Sequence, residues 1–582
     1  MIGEDFATVL KVNLSTRKYA IEQRPDLLRD YLGGSGVGAR LLQENGKHGA
    51  DPLDPEQPVI LAIGPMEFIF PMVTKVTAFF KSPLSGELGE SHAGGRLGMT
   101  MRMAGYDAIV ITGRSREPIL LNITGRKLDF IPATPLWGMP SDDTGMFARK
   151  LVYGQGKRSI LRIGPAGERL IPYSSVNVDS FRHFGRLGLG AVLGSKNLKA
   201  MVLSSEKSYA IPDLQAYKAV YEEIFQKVTQ TDVEEKYHDL GTPENILPLN
   251  AFGGLPTRNL AETRFEGAED ISGEAFAREL LTKKLACAGC PVGCIHIGLL
   301  RRQFGKSTDA YEYKSDGVNY DYELIYAMGS LLGLRDKTAV LELIAVAEAD
   351  GLDVMTAGVL LAWMTEAQEK RLVTEEMAGV KLAFGQASSY REALANLTLQ
   401  PTEFYRELAA DPLKTAQKYG GRDFLLFLNG NGMAGYFTGY GSMLGQLFGA
   451  RHSHLDNGGY SLDQKEPGLE PEALVKKLIA EEEMRNVLTS LVICLFARKV
   501  YDYPTICKAL GSIGIARTQE DLTALGKRIY RLKLDIKRAM GYEPATLSYP
   551  ARILETPAPG GPLSRESLEE MKNIYMTEIA LE

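Results

Sequence analysis

The chain has 582 residues, 45% hydrophobic and 24% charged, with a formal net charge of −6. That length exceeds one small core and predicts two to four domains, and the weak acidity excludes nucleic acid as the main partner. No apolar run reaches the roughly 18–20 residues of a membrane span, and five cysteines are too few for a disulfide framework.

The start, Met1-Ile-Gly-Glu-Asp-Phe6, lacks the basic and apolar stretches of a secretory signal. With free thiols, this makes a reducing cytoplasm the expected location. Residues 1–208 read as a β-rich domain. Its candidate strands are Val59–Ile63, Val76–Phe80, Ala108–Thr112, Ile119–Ile123, Ile160–Ile163 and Ala200–Ser204, short β-branched runs bounded by Gly, Pro or Asp. Three glycine-rich loops interrupt them, at 33–38, 94–98 and 185–190. The first resembles a dinucleotide fingerprint but follows no clear strand. For any one loop, turn chemistry suffices. Together, with Arg96, Arg182, Arg186, Lys196 and Lys199 nearby, bare backbone N–H groups form a cradle for an anionic ligand such as phosphate.

Past Ile211 the pattern turns helical. Asp213 is a plausible cap for a helix carrying Leu214, Tyr217, Val220, Tyr221, Ile224 and Val228, and further helices are predicted over Tyr322–Leu334, Lys337–Ala349 and Pro471–Met484. The expected architecture is α+β: a β domain over 1–208, then two mainly helical domains over 209–417 and 418–582, with Pro557–Pro562 a short tail linker.

Within the second domain, Cys287-Ala-Gly-Cys290-Pro-Val-Gly-Cys294 puts three thiols in eight residues, and Cys494 and Cys507 are the remaining cysteines. Three converging thiolates suit an iron–sulfur cluster, which takes a fourth ligand from elsewhere. A structural zinc site is the alternative, although zinc usually draws on a second closely spaced pair that this chain lacks. Asn319-Tyr-Asp-Tyr-Glu323 opens a helix, where capping by Asp321 is the simpler reading. Arg451-His452-Ser-His454 gathers two of seven histidines, either as a metal pair or as one functional ring beside one that packs.

The chain resembles the tungsten-containing aldehyde:ferredoxin oxidoreductase family from end to end. The resemblance rests on Tyr31-Leu-Gly-Gly34, Lys81-Ser-Pro-Leu-Ser-Gly86, the run Gly185–Lys199, the cysteine triplet, Asp321-Tyr-Glu323, Gly351-Leu-Asp353 and the distant Cys494. It implies a β domain serving as base for a tungsten bis-pyranopterin (tungstopterin), Mg2+ bridging the pterin phosphates, and a [4Fe–4S] cluster beside one pterin. Cys287, Cys290, Cys294 and Cys494 would be the cluster ligands, leaving Cys507 structural. Lys75 would link cluster and pterin. His92, with Ala93, Gly94 and Gly95, and the loop Arg182, His183, Gly185 and Arg186 would face the phosphate–Mg2+ unit, and Asp353 a pterin. Glu323 and His452 match the acid and histidine flanking the tungsten, with His454 the neighbouring candidate.

The chain also departs from the family pattern. Glu348 stands for an Asp before Gly-Leu-Asp, and Thr489-Ser-Leu-Val-Ile493-Cys494 replaces Asp-x-x-Gly-Leu-Cys. Thr489 thus removes a carboxylate from the expected pterin edge. Glu342-Leu-Ile-Ala345 lacks the histidine of the E-x-x-H pair by which some relatives hold an inter-subunit iron. The stretch Arg301–Gly317, long and rich in Tyr and charge, is expected to shape the substrate entry or receive a partner. The implied reaction is oxidation of an aldehyde to the carboxylic acid, with electrons passing to ferredoxin or a ferredoxin-like iron–sulfur subunit in an oligomer or heteromeric complex. The alternatives are a benzoyl-coenzyme A reductase type of subunit and a non-catalytic iron–sulfur electron-transfer protein.

Overall fold

The computed structural model describes residues 6–581 except 126, 153–155, 208–210, 212, 231, 304–312 and 547. Two six-stranded mixed sheets occupy the first third. The first is built from β1 (Thr8–Asn13), β2 (Lys18–Gln23), β3 (Val59–Ala62), β4 (Val76–Lys81), β5 (Leu88–Ala93) and β6 (Ala108–Thr112), in the order β2-β1-β6-β3-β4-β5. The second comprises β7 (Ile119–Thr124), β8 (Leu128–Pro132), β9 (Lys157–Ile163), β10 (Val176–Val178), β11 (Arg182–Phe184) and β12 (Leu198–Ser205), in the order β11-β10-β9-β12-β7-β8.

Apart from its exposed edge strand β2, the first sheet is buried on both faces, which explains the nearly continuous apolar runs of β3, β4 and β6. Side chains alternate along a strand, so Leu10, Leu61, Phe80 and Ile111 join a core shared with Ile119, Leu161 and Leu203 of the second sheet. Their neighbours Val9, Ile60, Phe79 and Val110 face a second core with Leu41, Ile529 and Leu488. The glycine run at 33–38 is not an anion loop but opens the helix Gly34–Asn45. A Cβ at Gly38 would overlap the Phe79 ring, so glycine here lets helix and sheet close up. Lys196 and Lys199 also leave the anticipated cradle. Lys196 donates to the carbonyls of Pro55 (2.7 Å) and Gln57 (2.6 Å), and Lys199 pairs with Glu168 beneath the sheet. Exposed Arg96 binds Asp179.

The remainder is mostly helical, and a large apolar core there includes Trp363, Tyr405, Phe448 and Tyr575, residues from both sides of position 417. The 208/209 boundary lies at residues outside those described. Gly329 divides the predicted Tyr322–Leu334 helix into Tyr322–Met328 and a short turn Ser330–Leu332. Helices Lys337–Asp350 and Pro471–Ser490 run longer than predicted. Pro557–Pro562 leads into another helix, Arg565–Leu581, whose Tyr575 stacks on Phe448 at 4.1 Å.

A small antiparallel sheet of β13 (Leu281–Leu285), β14 (Ile295–Gln303) and β15 (Tyr313–Tyr320) carries the cysteine segment between β13 and β14. Leu285 pairs with Ile295, so residues 286–294 form the hairpin connection. Part of the expected loop 301–317 is strand, with Arg301 opposite Ser315 and Gln303 opposite Tyr313, and 304–312 lie outside the described residues. Among the described residues no helix is long and apolar enough to cross a membrane.

Candidate active site

One cavity of about 340 Å³ lies where the two large sheets, the cysteine hairpin and the later helices meet. Its lining includes Lys75, His92, Gly94, Arg182, His183, Gly185, Arg186, Cys294, Asp321, Glu323, Glu348, Asp353, His454, Ile493 and Cys494. Most of the candidate residues named from the sequence therefore share one space despite separations of hundreds of residues.

The cysteine end is built around Gly94. A Cβ placed there would lie 2.7 Å from Cys287 Sγ and 3.4 Å from Lys75 Nζ. Only glycine lets the hairpin lie this close to the end of β5. The other cysteines stand within each other's electrostatic reach. Burial and then Cys494 push Cys294 up to about 11, and burial also raises Cys290. Metal binding must displace those protons. Burial opposes the charge on Lys75, but Cys494, Cys287 and Cys294 raise it. Among the described residues no three His, Cys, Asp or Glu side chains close on a single-ion site.

Another wall of the cavity is built from β5, β11 and the loops after them. His92 Nε2 lies 2.8 Å from Glu90 Oε1, and burial followed by the Arg451 charge pushes His92 down to about 4. Burial and Arg182 push His183 down to about 3. Both rings are neutral, and an anion bound beside them would pull them up. Arg186 Nε reaches Asp353 Oδ2 at 3.2 Å while its Nη2 donates to the Gly432 carbonyl. Asp353 also caps the helix Val354–Glu369 through Met355 N at 3.1 Å. Arg186 Nη1, Glu348 Oε1, Asn431 Oδ1 and His454 Nδ1 are buried without a protein hydrogen-bond partner, and all four residues line the cavity. No side chain occupies the space beside Gly185. One donor on Arg186 and acceptor atoms on Glu348, Asn431 and His454, left unsatisfied in one cavity, fit a polar ligand that offers both donors and acceptors.

At the third corner, Glu323 Oε1 accepts from His454 Nε2 at 3.1 Å and from the Tyr436 hydroxyl at 2.9 Å. The Tyr436 and His454 rings stack with centroids 5.1 Å apart. The Nε2–H of His454 points at a carboxylate, so Nδ1 is the nitrogen left for a ligand. Burial opposes ionisation of Glu323, but the hydrogen bond from His454 leads a set of contacts that hold its pKa below the usual value. Asp321 occupies the N-cap position without making a capping hydrogen bond, contrary to the simpler expectation. Burial and the neighbouring Glu323 charge raise its pKa, so the two acids are driven apart.

The geometry separates the two candidate histidines. His452, expected with Glu323 to flank the tungsten, does not line the cavity. At φ +52° it places Nε2 3.0 Å from Glu87 Oε2 and 3.2 Å from Lys537 Nζ. The neighbouring candidate, His454, stands beside Glu323. Thr489 is also outside the lining: its hydroxyl donates to Arg485 O at 2.9 Å within its own helix. Ala93 packs in the sheet core, and Gly95 is outside the lining. Sequence reasoning missed Tyr436 and Asn431, and named Arg451 only as the start of the histidine segment. The glycine-rich stretch Asn429–Gly435 was the available signal for the first two.

Two family models cover nearly the whole chain: the aldehyde ferredoxin oxidoreductase N-terminal domain over residues 9–205, and domains 2 and 3 of that family over 219–578. The chain is 29% identical to the tungsten-containing aldehyde ferredoxin oxidoreductase of Pyrococcus furiosus over 581 residues, covering 95% of this chain and 92% of that one. Against the protein of the same description from Thermococcus kodakarensis the identity is 30% over 583 residues, with the same coverage of 95% and 92%. An aliphatic sulfonate oxidoreductase, WOR-like subunit, of Pyrococcus furiosus is 28% identical over 406 residues, covering 66% of this chain and 63% of that one. In fold, the chain is similar to the active-site complex BamBC of benzoyl-coenzyme A reductase with 1,5-dienoyl-CoA: TM-score 0.80, 18% identity, 99% of this chain and 94% of that one.

Proposed function

The chain belongs to the aldehyde ferredoxin oxidoreductase family, and we propose that it oxidises an aldehyde to the carboxylic acid, releasing electrons to ferredoxin or a ferredoxin-like iron–sulfur subunit. The observation that carries this reading is Glu323 between His454 and Tyr436, in the same cavity as Cys294, Cys494 and the arginine-bearing loops.

Cys287, Cys290, Cys294 and Cys494 would hold a [4Fe–4S] cluster. Lys75, His92, Gly94, Arg182, His183, Gly185, Arg186 and Asp353 would hold a tungstopterin and its Mg2+. When bound, these groups supply the redox chemistry, taking the two electrons the aldehyde loses and passing them on singly. The chain's own residues then handle protons. Aldehyde plus water gives acid, two protons and two electrons. Glu323, ionised through its hydrogen bonds, accepts a proton as water adds to the carbonyl. His454 keeps that carboxylate in place, and its unpartnered Nδ1, an acceptor, is free to take a hydrogen bond from the water that adds. Asp321 beside it, raised to about 7 by burial and the Glu323 charge, holds its proton more tightly than Glu323 does.

The test is elemental analysis of anaerobically purified protein for W, Mo, Fe and Mg, followed by a panel of aldehydes with a viologen acceptor. Tungsten, iron and turnover of at least one aldehyde are expected. Metal-loaded protein inert to every aldehyde overturns the reading. Ring reduction of benzoyl-coenzyme A by reduced dye would place the chain with the reductases instead. Iron without tungsten, molybdenum or pterin would make it an electron-transfer protein.

A further inference from the structure

The helix Ser141–Leu151 covers the outer face of the second sheet, and its two sides differ. Thr144, Ala148 and Val152 are buried, the last two in a core with Leu120, Ile160 and Val202. Arg162 of β9 holds the start of the helix, donating from Nε to the Ser141 carbonyl at 2.6 Å. Gly145 lets the helix lie against that arginine, since a Cβ there would be 2.7 Å from its Nε. The opposite side carries Asp143, Met146, Phe147 and Lys150, at i, i+3, i+4 and i+7, which is one stripe of an α-helix. All four are exposed, Met146 at 49% and Phe147 at 37%. Leu151, one turn beyond Phe147 and likewise exposed, extends the apolar strip. Lys150 Nζ lies 5.7 Å over the Phe147 ring. Asp143 and Lys150 make no ion pair among the described residues. Both charges complement the helix dipole, which accounts for their signs but not for the large apolar pair exposed between them.

Along this stripe the order is acid, apolar, apolar, base. A partner of one charge sign would match one end and be repelled at the other. A second copy of the same helix, turned end for end, matches both. We propose that two copies of this chain pair through the helix Ser141–Leu151 about a two-fold axis passing between Met146 and Phe147. Asp143 then meets the partner's Lys150 and Met146 meets the partner's Phe147, each contact made twice by symmetry. Thioether sulfur and aromatic ring attract one another, and the charged ends fix the antiparallel direction. Two helices of 11 residues cover less than the standard interface of about 1,600 Å². The dimer is therefore reversible, and its population follows protein concentration.

The experiment is sedimentation velocity of the full-length, anaerobically purified holoenzyme across a wide range of protein concentration. Wild type is expected to pass from monomer to dimer as concentration rises. Phe147→Ser removes the central ring from both halves and should weaken the dimer roughly a hundredfold. Asp143→Lys sets like charges opposite each other at two places, and Lys150→Asp does so with the other sign. Each should weaken association roughly tenfold at low ionic strength. The double exchange Asp143→Lys/Lys150→Asp restores opposite charges across the axis and brings the affinity back to the wild-type value. Only self-pairing in the antiparallel sense gives that rescue. Circular dichroism and the thermal unfolding midpoint establish that each variant is folded. A wild-type chain monomeric at every concentration overturns the proposal. So does a dimer unchanged by Phe147→Ser, or a double exchange that associates no better than either single variant.

Discussion

Two glutamate–histidine pairs meet the same short loop, and the group that completes each pair differs. Glu323 meets His454 at 3.1 Å, while Glu87 meets His452 at 3.0 Å. The side chains are similarly buried, 17% and 4% exposed in the first pair and 18% and 1% in the second. The third partner differs. Tyr436 donates a neutral hydroxyl to Glu323, whereas Lys537, fully buried, sets an ammonium 3.3 Å from Glu87. Despite burial, the Lys537 charge and the His452 hydrogen bond pull Glu87 down to about 2. A carboxylate matched by a buried cation is a poor base and a good clamp. One held by neutral or proton-sharing groups at a cavity wall can still accept a proton. Burial alone therefore does not separate catalysis from structure; the charge of the third group does.

The sharpest way to break this contrast is to remove one member of each pair in turn. Glu323→Gln is expected to lower kcat by roughly 10²–10⁴, the usual range for a positioned acid–base group, with tungsten and iron content retained. His452→Gln should leave kcat within a few-fold of wild type and lower the unfolding midpoint instead. Steady-state kinetics beside thermal unfolding decides the matter. Equal kinetic losses in both variants would erase the distinction.

Lys537→Met tests the clamp directly. It leaves Glu87 and His452 buried without their cation, and breaking a buried pair on one side costs about 3–5 kcal/mol, measured by denaturant unfolding. The pH dependence carries a definite sign. Glu87 has a folded pKa below the ordinary 4.5, so its stabilisation is complete above that value and is lost as pH falls towards about 2. The stability gap between wild type and Glu87→Gln should be constant above roughly pH 5 and close progressively below it. A gap that opens on acidification would contradict the ion-pair account.

Much of this was legible in the sequence, for identifiable reasons. Strands such as Ala108–Thr112 matched because β-branched runs bounded by turns leave few alternatives. The cysteine spacing and the glycine–arginine loops are local, and locality is what a sequence displays. Choosing between His452 and His454 was not local. Both stand two residues apart in one turn, and partners more than a hundred residues away decide which ring enters the cavity. Lys196 and Lys199 misled for the same reason, since proximity in the chain to a glycine loop does not say which side of β12 a long side chain takes. Tyr436 was invisible as a site residue because a single buried tyrosine reads as core.

Tyr436 also offers the finest test of what sets Glu323 apart. Tyr436→Phe keeps the ring that stacks on His454 and removes only the hydroxyl 2.9 Å from Glu323 Oε1. A hydrogen bond to a charged group is worth about 1.5–3 kcal/mol, and here it favours the ionised carboxylate. Losing it must raise the pKa of Glu323, because burial continues to oppose the charge while one of the groups lowering it is gone. The base is active only when ionised, so the acid limb of the kcat profile should move to higher pH, with a modest loss on the plateau. The same hydroxyl deletion cannot affect Glu87, whose ionisation depends on Lys537. An unshifted acid limb would mean that His454 alone holds Glu323 ionised, and Tyr436 would then serve only to seat the imidazole.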